Sequence, residues 1–63
     1  MEENAKNNCI ILLKKYEEGY TKETDEFLKD NLKLINENSD FYNSFKEITQ
    51  REFPKLYEKL FSN

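Results

Sequence analysis

Between Ser39 and Phe61 the chain places six of its nine aromatic residues (Phe41, Tyr42, Phe45, Phe53, Tyr57 and Phe61) and its only proline, Pro54. Proline inside a helix removes one backbone hydrogen bond and clashes with the carbonyl four residues back, so it kinks or breaks the helix. The apolar pattern chooses between the two. On one straight helix Glu52 and Lys59 fall in the middle of the stripe formed by Phe41, Phe45 and Ile48. Phe53, Leu56, Tyr57, Leu60 and Phe61 instead centre roughly 80–90° further round. The face turns at the proline. The spacing therefore predicts a helix ending near residues 51–53 and a short one starting with Pro54 at its first position, where proline is well suited. A sharply kinked single helix is the alternative, because Phe53 is a poor capping residue.

Upstream, two further amphipathic helices are expected. Helix 1, over about 4–18, brings Ala5, Cys9, Leu12, Leu13, Tyr16 and Tyr20 into one arc, with Ile10 at its edge and Ile11 alone among the charges opposite. Gly19 can take the left-handed conformation that ends a helix, with Tyr20 folding back as the accompanying contact and Thr21 capping the next helix. Helix 2, over about 22–36, carries Phe27, Leu28, Leu32, Leu34 and Ile35 on its inner arc, with Thr24 and Asn31 near the middle. Asn31 needs a hydrogen-bond partner there; a neighbouring backbone carbonyl is the ordinary one, a register-fixing role the sharper one. Asp25/Lys29 and Asp30/Lys33 have the spacing of surface ion pairs. Helix 3, over about 39–52 with Asn38 or Ser39 as cap, presents Phe41, Phe45 and Ile48 inward, with Tyr42 at the edge and Thr49 between them. With one glycine and one proline as the only breakers, the fold class is all-α. A single domain over 1–63 is expected, a small antiparallel three-helix bundle with a kinked or short fourth C-terminal helix.

Sixty-three residues lie near the lower limit for one self-sufficient core. Such domains commonly add disulfides, a metal or a second subunit. With one cysteine and no histidine, neither a disulfide nor a structural zinc site is expected, which leaves tight helix packing or a homodimer. The same unpaired thiol suits a reducing compartment. The polar, acidic start of the chain lacks the basic and then apolar order of a signal peptide, and no run approaches a membrane span. These points together give a cytoplasmic expectation. Richness in Asn, Lys, Ile, Tyr and Phe suggests an AT-rich genome, such as a low-GC bacterium or its phage.

Catalysis is disfavoured. A cysteine or serine nucleophile needs a base, and no histidine is present to serve. Cys9 sits on an apolar stripe, where a thiol is inert. No carboxylate spacing matches a calcium loop, and a lone glycine cannot make a phosphate-cradling loop. No cofactor is expected. Nucleic acid is also disfavoured, since helix 2 sets Lys22, Lys29 and Lys33 against Glu23, Asp25, Glu26 and Asp30, and the net charge is −3. What remains is recognition of another protein by a stoichiometric regulator, inhibitor or accessory subunit. Its contact residues are expected to be Ile11, Phe53, Tyr57, Leu60 and Phe61, because the turn of face at Pro54 can carry the C-terminal aromatics off the bundle. A dimeric nucleic-acid-binding regulator is the first alternative. An immunity protein or antitoxin neutralising a toxin is the second.

Overall fold

The computed structural model describes residues 1–19 and 22–62. It is all-α, with α1 at Glu2–Glu17, α2 at Lys22–Leu32, α3 at Asp40–Glu52 and α4 at Pro54–Phe61. The expected capping by Thr21 and the contact from Tyr20 lie outside the described residues. Gly19 has φ +108°, the left-handed conformation that L side chains avoid, and its N–H donates to the Tyr16 carbonyl at 3.0 Å. Ser39 caps α3, its Oγ accepting from the Tyr42 N–H at 3.1 Å.

Pro54 separates two helices. Phe53 leaves the helical region at φ −134°, ψ 64°, and Pro54 opens α4. Both ladders meet at Phe53: its N–H donates to the Thr49 carbonyl at 2.8 Å, and its own carbonyl accepts from the Tyr57 N–H at 2.8 Å. Glu52 and Lys59 consequently both stay in solvent.

Helix 2 is shorter than its apolar pattern implies. It ends at Leu32, not near residue 36. The next residues tighten, with Leu34 N–H on the Asn31 carbonyl and Ile35 N–H on the Leu32 carbonyl, each at 3.1 Å. These three-residue spacings are those of a closing 3₁₀-type turn. A polar clamp then fixes the chain: the Asn36 N–H donates to Glu2 Oε2 of α1 at 3.1 Å, and Asn36 Oδ1 accepts from the Asn38 N–H at 2.8 Å. The tightened turn keeps Ile35 buried and turns Leu34 out.

α1 and α2 form the most closely packed helix pair; α3 packs on α4, and α4 on α2. The core is Ala5 and Cys9 from α1, Leu28 and Leu32 from α2, Ile35 after it, Phe45 from α3 and Leu56 from α4. Buried Thr24 and Thr49 join it. Thr49 can be buried because its hydroxyl donates to the Phe45 carbonyl at 2.6 Å, which meets its polar demand within its own helix. It thereby takes the inward position expected of Ile48, which is 38% exposed. Asn31 is satisfied in the ordinary way: its amide donates to the Phe27 carbonyl at 2.8 Å, and its Oδ1 accepts from Asn8 of α1 at 3.1 Å. The radius of gyration, 10.5 Å, matches the roughly 10.6 Å expected of a chain this long folded into one body, so α4 is folded in with the rest.

The helix-spaced ion pairs of α2 do not form. Asp25 instead reaches across to α4, where its Oδ2 accepts from Lys59 Nζ at 2.7 Å. That bond and the carboxylate's charge hold the Lys59 ammonium above the ordinary lysine range. Lys29 and Lys33 have no carboxylate partner among the described residues.

Candidate functional site

A helix that must bury an apolar stripe normally meets a neighbour along that stripe. α1 and α3 each carry such a stripe, yet they are not one of the closely packed pairs. Between them runs an apolar groove of about 400 Å³, floored by Leu13, Phe41 and Phe45 and walled by Ile10 and Ile48, with Ser44 beside them. Lys14 and Glu17 supply the rim. The rings of Phe41 and Phe45 stack along the floor at 5.9 Å and 22°. Lys6 Nζ stands 5.9 Å from the Phe41 ring centroid, near enough for a cation–π attraction. Ile10 is 44% exposed. Exposed apolar side chains are common one at a time; here they form a concave set on two facing helices.

The C-terminal residues expected to contact a partner occupy a different place. Phe53 packs edge-on against Tyr16 at 5.6 Å. Phe61 is the hub of a second aromatic cluster, 5.6 Å from Tyr42, 5.3 Å from Tyr57 and 6.5 Å from Phe45. Phe53, Leu60 and Phe61 lie partly buried against the core, and Tyr57 is half-buried beside Phe61. Ile11, 52% exposed, stands outside this cluster and does not line the groove. The structure therefore gathers Tyr57 with Phe61 and leaves Ile11 apart. Periodicity puts Ile10 at the edge of the α1 stripe and Ile48 on the inner stripe of α3; in the structure both line the groove and are exposed.

On the opposite flank of α3 lies a polar cleft of about 600 Å³, where Lys29 of α2 and Lys33 just past its end face Asn43 and Lys46 of α3, with Glu37, Asn38, Tyr42 and Phe61 around them. Burial and the nearby Glu37 carboxylate raise the Tyr42 hydroxyl above its usual pKa. Cys9 is fully buried, and desolvation pushes its thiol up to about 11, which keeps it protonated and unreactive near neutrality. Among the described residues no three His, Cys, Asp or Glu side chains could hold a metal ion, and no helix is long and apolar enough to cross a membrane.

No protein-family model matches the chain, and no curated protein or solved structure is significantly similar to it.

Proposed function

We propose that this chain is a stoichiometric protein-binding module, acting as a regulator, inhibitor or accessory subunit, which receives one amphipathic helix of a partner protein in the groove between α1 and α3. The observation that carries this reading is the concave pairing of Ile10 and Ile48 over the Leu13, Phe41 and Phe45 floor. A helix presenting apolar side chains at i, i+3, i+4 and i+7 matches such a slot. The rim favours a partner whose polar flanks carry both signs, since Lys14 and Glu17 border the same opening. Burial of the only thiol supports binding over covalent catalysis.

The test uses two groove variants, Ile10→Lys and Ile48→Lys. Both side chains are already substantially exposed, so stability is expected to stay within about 0.5 kcal/mol of the parent. A protein captured by the parent chain from the native host, and lost from both variants, supports the reading once its binding segment is mapped to a helix. Capture that survives both variants and is lost in Tyr57→Ala would place the contact on the C-terminal cluster. Light scattering across concentration examines the remaining occupant. A dimer that Ile48→Lys dissociates would give the groove to a second copy.

A further inference from the structure

The polar cleft gathers positive charge in a chain whose net charge is −3. Lys29 lies in the last turn of α2 and Lys33 just past its end, the Lys33 N–H donating to the Lys29 carbonyl at 3.3 Å, and Lys46 comes from α3. The partners that sequence spacing offers the first two do not pair with them: Asp25 is bonded to Lys59, and Asp30 forms no ion pair among the described residues. Lys46 is held over the ring of Phe61, its Nζ 5.8 Å from the centroid, which orients its ammonium at the cleft wall. The one acid in the lining is Glu37. Asn38, Asn43 and Tyr42 add neutral polar groups, and Tyr42 keeps its proton as a donor.

We infer that this cleft binds a small phosphorylated compound, its phosphate oxygens held between Lys29, Lys33 and Lys46. Three lysines lining one cleft match the charge and the many acceptor atoms of a diphosphate group. The cleft volume lies in the range of small-molecule sites, so room remains for the body of the compound against Tyr42 and Phe61. Ionic screening decides between a small anion and a nucleic acid. At physiological salt a bound group feels charges within about 8 Å, so a small anion in the cleft meets chiefly the three lysines and the single carboxylate of Glu37. A long polyanion reaches beyond the cleft over a chain whose net charge is −3, and that net negative field repels it.

The experiment is a nitrogen–proton correlation titration of the full chain with sodium pyrophosphate at constant ionic strength. Saturable shifts are expected at Lys29, Lys33, Asn38, Asn43 and Lys46. Lys33→Gln and Lys46→Gln each weaken binding about tenfold, the loss of one charge-assisted contact. Lys55→Gln, a control on α4 outside the lining, leaves the affinity unchanged. The inference is overturned by shifts that never saturate, by equal weakening in the Lys55→Gln control, or by binding of a single-stranded or duplex oligonucleotide that pyrophosphate does not displace. All four lysines are exposed, so each variant folds, and a melting curve verifies it.

Discussion

The two helix pairs of this protein are closed by different materials. Where α1 meets α2, the buried side chains are small or aliphatic: Ala5 and Cys9 on one helix, Thr24, Leu28 and Leu32 on the other. Where α3 meets α4, the contacts are rings, with Phe61 set against Tyr42 and Phe45. Small side chains let two backbones come close, and α1–α2 is the tightest pair. Rings fill more space and hold helices further apart. The consequence falls on α3. Its Tyr42 and Phe45 meet Phe61 of α4, while its Phe41 and Ile48 face α1 across the groove. The groove is what that mismatch leaves open.

The sharpest way to break this comparison is Leu28→Ala. A fully buried leucine at the tight pair leaves a cavity that close-packed neighbours fill poorly, at a cost of about 2–5 kcal/mol. A domain of this size has little more than that in total, so the variant should be largely unfolded at room temperature by circular dichroism. A cooperative melt within a few degrees of the parent would show that the pair is loosely packed.

Alkaline titration tests the same interface through Cys9. The thiol of the unfolded chain ionises near pH 9, whereas burial delays ionisation of the native thiol to about pH 11. Its contribution is therefore fully present below pH 9 and declines as pH rises to 11, by up to about 2–3 kcal/mol. Denaturant midpoints should fall across that window, and less steeply in Cys9→Ala. Parallel slopes in the two proteins would mean the thiol is not sealed.

Phe61→Ala sharpens the aromatic side. A partly buried ring should cost about 2 kcal/mol, with loss of the aromatic circular-dichroism signal from Tyr42 and Tyr57. An unchanged melting curve would assign Phe61 to a surface role. The smallest effect is expected from Lys59→Gln, because an exposed ion pair contributes little and salt screens it. A destabilisation rivalling that of Phe61→Ala, persisting in high salt, would mean the Asp25–Lys59 bond anchors α4.

The comparison also explains what could be read from residue order. The stripe of α1, the left-handed Gly19 and the new start at Pro54 each follow from local rules, and they stand in the structure as local rules place them. The end of α2 was not legible, because Leu34 and Ile35 continue the helical period while the clamp from Glu2 to Asn36 comes from another helix. Thr49 and Ile48 exchange roles for a similar reason: a threonine that bonds its own helix can be buried at no polar penalty. Asp25 prefers Lys59, thirty-four positions away, to the lysine one turn along. The groove was hidden for the deepest reason. Periodicity tells which edge of each helix is apolar, and only tertiary packing tells which two edges fail to meet.

The break at Phe53 has one more consequence. Because both ladders run through that residue and Pro54 has no N–H to link them, α3 loses no backbone bond of its own when α4 departs. Eight residues are too few to remain helical alone, so α4 leaves by unravelling, and the opening must expose Leu56. Hydrogen exchange should then show a step at the proline. Amides of residues 57–61 should trade their protons together through a partial opening, while those of α3 wait for the whole fold to give way.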